Sequence, residues 1–429
     1  MATAPAPTSL TGIYEAAPSA LPSTDDDAVR FLALLARAYA AVDEIPARIE
    51  EGIDAFTARF GFEGAATATG TSIFLSIARG ELRHTEVIRV RSGSPDFTRA
   101  VALHRLLERV DAGELTARDA ADRLERLLAW RPPSSLPATV VASALLSASS
   151  ALLLRADRVE FALIAVLGAV VGGVLHLVGG RAQLQPLATV LLAAVASAAA
   201  HGFDVLHLAD IRPVPVLVAA LVILFPGWRL TVAMSELAQG HWTSGSGRFM
   251  AAVTTLLLLV TGVVVGQQVV DSPERARLVL PAAGVLPAWA RVLSPLAAGL
   301  AMTWLFDARR RDTAWIMLTC VVTSTAAALG GRWLGSSAGA FVGAFTATAV
   351  SGILARHLRL PYAVLQQPAV VLLVPGTIGF LSFGSLVDQN VTRAVTTLFQ
   401  MLTVALTLSI GALLARVALA PVMAGSPRR

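Results

Sequence analysis

The chain has 429 residues, of which 55% are hydrophobic and only 15% are charged, whereas a soluble domain carries about 25% charged residues. Its mean hydropathy is +0.67, so the composition excludes an ordinary soluble protein and indicates an integral membrane protein with a soluble portion. The net charge of +5 comes from arginines without any lysine. Because they are scattered, with no interleaved aromatic residues, nucleic-acid binding is excluded. One cysteine, Cys320, excludes an internal disulfide and a cysteine-based metal site. We expect no metal or cofactor.

Residues 1–24 are rich in Ala, Pro, Ser and Thr, and they lack the basic start and long apolar run of a secretory signal. We expect a disordered tail there, followed by a small cytoplasmic α+β domain over residues 25–130. Apolar residues at helical spacing, strand-like runs and a capping pattern support this domain. Its predicted elements are helices at Asp25–Asp43 and Ile45–Phe60, strands at Gly64–Ala68, Ser72–Ala78 and Glu86–Arg91, and helices at Asp96–Val110 and Thr116–Trp130.

A linker at residues 131–135 leads into ten apolar segments. A helix needs about 20 apolar residues to cross a bilayer, and most of the segments are close to this length. They are Leu136–Leu154, Val159–Gly179, Pro186–His201, Val214–Gln239, Phe249–Val270, Leu286–Phe306, Thr313–Gly330, Ser336–Leu354, Tyr362–Val387 and Ala394–Arg416. The sequence therefore predicts a mostly α membrane protein with ten transmembrane helices.

The fourth and ninth segments are interrupted by Pro226-Gly227 and by Pro375-Gly376. Proline removes a backbone donor and clashes with the preceding turn, and glycine adds backbone freedom, so each pair predicts a break inside a membrane helix. Each break is followed by Ala-Val-Thr-Thr-Leu, which starts at Ala252 in the first half and at Ala394 in the second. A single Pro-Gly favours a helix end at the membrane interface. The pairing within a repeat is instead typical of a transporter binding site.

The repeat divides the ten segments into two groups of five, over residues 136–285 and 286–416, with a cytoplasmic tail at 417–429. Because five is odd, the second group enters the membrane from the opposite face. The sequence therefore predicts two inverted five-helix repeats with broken fourth helices. More arginines lie in the loops that this arrangement places inside the cell, Arg309–Arg311 above all. Both termini are accordingly expected in the cytoplasm.

A helix that restarts inside the membrane presents unpaired N–H groups and the positive end of its dipole, which suits a substrate carboxylate. Carbonyls of the preceding half-helix suit an ammonium group, so the breaks suit a small zwitterion. Glu236 and Asp388 follow the two breaks and are either carriers of a coupling proton or interfacial groups in water. The predicted substrate-binding residues are Pro226, Gly227, Thr231, Ser235, Pro375, Gly376, Thr377 and Ser382. No catalytic residue is predicted.

Two further regions bear on other functions, a phosphate-binding loop and a hydrolase site. Gly240–Arg248 predicts a glycine-rich loop, but it lacks a Walker lysine and does not follow a strand, so a phosphate-binding loop is not expected. The N-terminal domain has His84 and His104 but no Ser-His-Asp spacing. A structural or regulatory role is therefore favoured for that domain over a hydrolase.

Several motifs together resemble the threonine/serine exporter (ThrE) family, over nearly everything after Asp27. They are the helix at Arg48–Phe62, the Pro-Gly run at Phe225–Phe249 with its acidic residue and its Gly-x-x-Arg, and the second Pro-Gly run at Val374–Leu386. The sequence departs from the family pattern at Glu236, where aspartate is typical, and at Ala40-Ala41-Val42, which replaces a Gly-Ala turn.

The resemblance implies an antiporter in the cytoplasmic membrane that exports threonine and serine with the proton-motive force. Its partners would be the amino-acid substrate, protons and the lipid bilayer, and it would not be an enzyme; homo-oligomerisation is left open. Two other classes stay open as alternatives. A membrane-anchored hydrolase would need a nucleophile and a base within Asp25–Trp130, and none stands out. A non-transporting receptor or scaffold would have no need of broken helices.

Overall fold

The computed structural model describes residues 25–90, 95–130, 135–181, 183–206, 211–270, 288–373, 380–381 and 391–420. The chain begins with helix α1 (Asp25–Ala41), whose three aspartates in the first turn complement the helix dipole. Helix α2 (Pro46–Arg59) starts with proline in its first turn, where no backbone donor is needed. Both helices bury their apolar faces in one core, in which Phe31 contacts the rings of Phe56 and Phe60 edge-on.

A three-stranded antiparallel sheet follows, in the order β1 (Glu63–Ala68), β2 (Ser72–Arg79) and β3 (Leu82–Arg89). Alternate residues of β2 point into the core, and Ile73 and Leu75 are fully buried. The prediction that the third strand starts at Glu86 was wrong, because Arg79 pairs with Leu82 across a tight turn. Gly80 takes a positive φ of 59° there, which glycine adopts without steric cost.

Helices α3 (Phe97–Asp111) and α4 (Ala117–Ala129) complete the domain. The side chain of Asp96 accepts from the N–H of Arg99 at 2.8 Å, and that of Thr116 accepts from the N–H of Asp119 at 3.1 Å. The predicted capping of the second of these helices is therefore confirmed.

The remaining helices are long and apolar. In the first half they are α5 (Leu136–Leu153), α6 (Arg158–Val178), α7 (Gln185–Val205), α8 (Pro213–Ala220), α9 (Gly227–Ala238) and α10 (Trp242–Val269). In the second half they are α11 (Ala288–Leu305), α12 (Thr313–Leu334), α13 (Ser336–Leu358), α14 (Ala363–Val371) and α15 (Val391–Ala418). The chain is thus mostly helical, with one small sheet near its N-terminus.

Across the described residues, seven helices are long and apolar enough to cross a membrane, and the count is eight if one bent pair forms a single span. The predicted number of ten stays a prediction, because α11 follows the undescribed residues 271–287 and α14 precedes the undescribed residues 374–379. The protein is a multi-pass membrane protein on this count and on its composition.

The predicted break in the fourth segment is present. Helix α8 and the helical run Val222–Ala238 are bent by 53° relative to each other. One 3₁₀ turn (Val222–Leu224) follows α8, and Phe225 and Pro226 are not helical before α9 begins at Gly227. The corresponding break at Pro375-Gly376 lies outside the described residues, where α14 has already ended at Val371.

The predicted glycine-rich loop is wrong for most of its length, because α10 starts at Trp242 and includes Gly245, Gly247 and Arg248. A Cβ at Gly245 would lie 2.8 Å from Cγ of Leu237 in α9. Close packing of α9 on α10 therefore requires a glycine here, and this packing outweighs the low helix propensity of glycine.

The N-terminal domain rests on the ends of the membrane helices. The N–H of Phe97 donates to the carbonyl of Phe306 at 2.9 Å, and their two rings are 5.1 Å apart. The hydroxyl of Thr98 donates to the carbonyl of Asp307. These contacts fix the start of α3 to the turn between α11 and α12 and leave a space between the domain and the ends of α9 and α14.

Candidate functional site

A cavity of about 880 Å³ lies between the N-terminal domain and the membrane helices, within the usual size range of small-molecule sites. The domain lines it with residues of α1, α2 and α3. The membrane region lines it with residues of α9, α13, α14 and α15. The broken fourth helix and the helix before the second break therefore face the same space.

Helix α9 presents one polar face to this cavity. Trp228, Thr231, Ser235 and Glu236 all line it, and their positions in the sequence place them on one side of a helix. The hydroxyl of Thr231 donates to the carbonyl of Gly227 at 3.1 Å, and Oγ of Ser235 accepts from Nε2 of Gln239 at 2.9 Å. Helix α9 begins without a side-chain cap, so none of these side chains satisfies the N–H groups of its first turn.

Glu236 is 3% exposed and forms a buried ion pair. Its Oε1 lies 3.0 Å from Nε of Arg248, which belongs to the N-terminal part of α10. Neither carboxylate oxygen has an aligned hydrogen bond among the described residues. A buried carboxylate held mainly by the charge of a neighbouring arginine can accept a proton or an ammonium donor.

The opposite face of the cavity comes from α14, α13 and α15. Gln366 and Gln367 in α14 are buried and line the cavity. Nε2 of Gln366 donates to the hydroxyl of Thr348 in α13 at 2.7 Å. In α15, Oγ of Ser409 lies 3.0 Å from the carbonyl of Thr231, which joins this helix to α9.

Sequence reasoning missed these amides. The visible signal was a Gln-Gln pair inside an apolar segment just before the second Pro-Gly. Buried polar side chains in a membrane segment need partners or water. The Gln-Gln pair was therefore as good a candidate for the binding site as the hydroxyls after the break.

The N-terminal domain contributes charged and aromatic groups to the cavity, alongside aliphatic side chains. Burial raises the pKa of Tyr39 to about 12. Burial also raises the pKa of the Asp43 carboxyl, although Arg248 and Arg229 act in the opposite direction. Burial lowers the pKa of His104, against the attraction of Glu108. No group of three or more His, Cys, Asp or Glu side chains suited to a metal occurs in the described part of the chain.

The structure brings together three of the predicted site residues, Thr231, Ser235 and Glu236, on the wall of one cavity. Pro226 and Gly227 are buried at the start of α9 and are not part of that wall. The predicted residues of the second break, which are Pro375, Gly376, Thr377, Ser382 and Asp388, lie outside the described residues.

Two family models match the chain. The ThrE model for threonine/serine exporters matches residues 30–270, and a second threonine/serine exporter model of the same family, ThrE_2, matches residues 291–418. Neither a curated protein nor a solved structure matches. Together the two models cover most of the chain, including the N-terminal domain, both sides of the cavity and the first helix break. The chain therefore belongs to the threonine/serine exporter family.

Proposed function

We propose that the protein is a secondary transporter that exports threonine and serine across the cytoplasmic membrane, driven by the proton-motive force. The observation that carries this proposal is the cavity between the N-terminal domain and the broken helix, with the polar groups that it contains. Its walls hold hydroxyls, amides and one buried carboxylate beside Arg248. The hydrolase alternative gains no support.

The cavity suits a small zwitterion with a hydroxyl. The N–H groups at the start of α9 suit its carboxylate, because the positive end of the helix dipole lies there. Thr231, Ser235 and the amides of α14 suit its ammonium and hydroxyl groups as hydrogen-bond partners. Pro226-Gly227 creates the helix start, and by the repeat Pro375-Gly376, Thr377 and Ser382 would serve the same purpose in the second half.

Glu236 is the proposed proton carrier of the first half, with Asp388 as its counterpart in the second. A carboxylate inside a membrane segment is costly to keep charged, so loading with a proton, or pairing with Arg248, stabilises it. Alternation between these two conditions is what proton-coupled export requires of such a residue.

We propose ten spans in two inverted repeats, over residues 136–285 and 286–416, with the domain at 25–130 and both termini in the cytoplasm. The matching helices support this. In order, α5, α6, α7 and α10 have 18, 21, 21 and 28 residues, and the described parts of α11, α12, α13 and α15 have 18, 22, 23 and 28.

Packing partners match in the same order, except that α12 packs far more extensively on α13 than α6 does on α7. Helix α5 packs on α6 as α11 packs on α12, and α7 packs on α10 as α13 packs on α15. The broken fourth helix follows the same rule, since α8 contacts α6 and α7 while α14 contacts α12 and α13. In an inverted arrangement, α9 and α14 would both lie in the cytoplasmic half of the membrane, on the side of the N-terminal domain.

The decisive experiment is counterflow in proteoliposomes. Vesicles preloaded with unlabelled threonine should accumulate labelled threonine and serine, and an imposed pH gradient should drive net movement. Leucine, which lacks a hydroxyl, serves as the control substrate. Absence of threonine and serine counterflow in correctly inserted protein would refute the proposal. Glu236→Gln should retain exchange but lose the response to the pH gradient.

Orientation has its own test. A single cysteine placed within residues 271–277 should react with an impermeant reagent from outside the cell. The native Cys320 is fully buried, so its background labelling is expected to be low. Labelling only after permeabilisation would refute the inverted arrangement.

A further inference from the structure

One arginine links the membrane cavity to the N-terminal domain. Nε of Arg248 lies 3.0 Å from Oε1 of Glu236, and its Nη1 lies 3.9 Å from Oδ1 of Asp43, in the turn between α1 and α2. All three side chains are mostly buried, with exposed fractions of 4% for Glu236 and 16% for the other two. A single guanidinium therefore lies between a carboxylate of the membrane region and a carboxylate of the domain.

Further charged groups surround Arg248 and its two carboxylate neighbours. Arg248 faces two carboxylates, Arg229 acts on Asp43 from α9, and Glu44 adds a further negative charge. His241 faces Glu236 from the turn before α10. In the structure Arg248 is nearer to Glu236 than to Asp43. If Glu236 takes up a proton, its attraction for Arg248 falls, and Asp43 becomes the stronger partner.

The backbone supports a dedicated role for Asp43. Its φ is 53°, in the left-handed region, where aspartate and asparagine are tolerated better than most residues. Its side chain lines the cavity. A residue held in this conformation directs its carboxylate to the inner end of α10, at a point where the domain and the membrane region meet.

We propose that Asp43 is a positioning residue for proton-coupled transport. Asp43 is the alternative partner of Arg248. When Glu236 is protonated, Arg248 pairs with Asp43 and draws the α1–α2 turn towards α10. When Glu236 is ionised, Arg248 returns to Glu236 and the turn is released. The N-terminal domain thereby responds to the state of the membrane site. This inference rests on the proposed role of Glu236, but one of its tests is independent of transport.

The first test uses hydrogen exchange of the purified full-length protein in lipid nanodiscs. Glu236→Gln imitates the protonated side chain, so the amides of residues 40–45 should exchange several-fold more slowly than in the wild type. Adding Asp43→Asn should restore wild-type exchange. If Glu236→Gln leaves this turn unchanged, the proposal is overturned, whether or not the protein transports threonine.

The second test uses the pH profile of transport. Asp43→Asn removes a negative charge near Glu236 and leaves Arg248 to Glu236 alone, and both effects favour the ionised form of Glu236. The pH midpoint should therefore move to lower pH, by about half a unit to one unit. In the Glu236→Gln background, Asp43→Asn should leave the pH profile of transport unchanged.

A matched control is available in the same domain. Asp111 pairs with Arg59 at 2.8 Å on the surface, with 75% of its side chain exposed. Asp111→Asn should leave both the amide exchange of residues 40–45 and the pH profile of transport unchanged. An equal shift in the two Asp→Asn variants would refute the specific role of Asp43. If the wild type does not transport threonine, the proposed function is refuted instead. The hydrogen-exchange test would still decide this inference.

Discussion

The contact between α7 and α10 differs from the space between α9 and α14. In the first, backbones touch: a Cβ at Gly262 would lie 2.3 Å from the carbonyl of Val190, and one at Gly266 would lie 2.2 Å from the carbonyl of Ala194. In the second, polar side chains border a cavity of about 880 Å³. The small residues at the contact between α7 and α10 permit the close approach of the two backbones.

This difference separates residues that hold the membrane region together from residues that are available to a substrate. Ser197 shows the first kind, because its hydroxyl is fully buried and donates to the carbonyl of Val263 at 2.7 Å. Glu236 shows the second, because its carboxylate has no aligned hydrogen bond among the described residues. Substitutions in the first region should damage folding, whereas those in the second should damage transport.

The largest expected effect follows from closing the break beside the cavity. Replacing Pro226-Gly227 by Ala-Ala should let α8 and α9 join, because alanine favours a helix and proline costs about 3 kcal/mol inside one. The N–H groups of the first turn of α9 would then be paired. Transport in vesicles should fall by at least about tenfold, while melting in detergent stays at or above the wild-type temperature.

The repeat predicts the same outcome for Pro375-Gly376, outside the described residues. Normal folding and normal transport in both variants would mean that the breaks are interfacial helix ends. Loss of transport in only one of the two variants would make the site asymmetric and would weaken the repeat argument.

The second expected effect tests the packed region. Gly262→Ala should destabilise the protein by about 1–3 kcal/mol, because the new methyl group meets backbone atoms of α7 that side-chain rotation does not move. Gly247→Ala in the same helix is the control, since nothing lies within 4 Å of its Cβ position, and it should be neutral or slightly stabilising. Detergent melting compares the two. Equal melting temperatures would mean that α7 and α10 separate easily.

The sequence could predict the helix break beside the cavity better than the close packing of α7 on α10. Apolar length and Pro-Gly pairing located the helices and the first break, because both act through local backbone chemistry. The close approach of Gly262 to Val190 depends on which helices become neighbours, and no local pattern contains that information. Gly245 shows the same limit: it reads locally as part of a loop, but it lies inside α10, where it packs closely against Leu237.

Part of the candidate site was predictable for a similar reason. Thr231, Ser235 and Glu236 lie within ten residues of the break, so the interruption itself pointed to them. Asp43 lies just over two hundred residues before Arg248, and only the folded chain brings the two together. The domain's contribution to the cavity therefore needed the structure.

A third, smaller effect is expected from the amide wall of the cavity. Gln366→Leu keeps the approximate size of the side chain but leaves the Thr348 hydroxyl without its 2.7 Å donor. The KM for threonine should rise by up to about tenfold, the value of one hydrogen bond, while melting changes little. Gln400→Leu, on an exposed position of α15, is the matched control and should leave KM unchanged. A lowered melting temperature with unchanged KM would assign Gln366 to the packed region instead.

The smallest expected effect concerns the junction where the domain meets the membrane helices. Burial raises the pKa of Asp307 to about 6, and the neighbouring Asp96 adds to the rise. An acid whose pKa is raised on folding binds its proton more tightly in the folded state, so stability falls as pH rises from about 4 to about 6. Above that range the folded protein carries the full penalty of the buried charge.

Asp307→Asn should remove this penalty without straining the backbone, because the φ of 48° at this position is also acceptable to asparagine. We expect the variant to be more stable than the wild type at about pH 7.5, by on the order of 1 kcal/mol after allowance for screening by solvent. The difference should vanish below about pH 4, where the carboxyl is protonated in both the folded and the unfolded state. Melting curves at several pH values measure it directly, and a gain that is independent of pH would show that the Asp307 charge does not oppose docking of the domain.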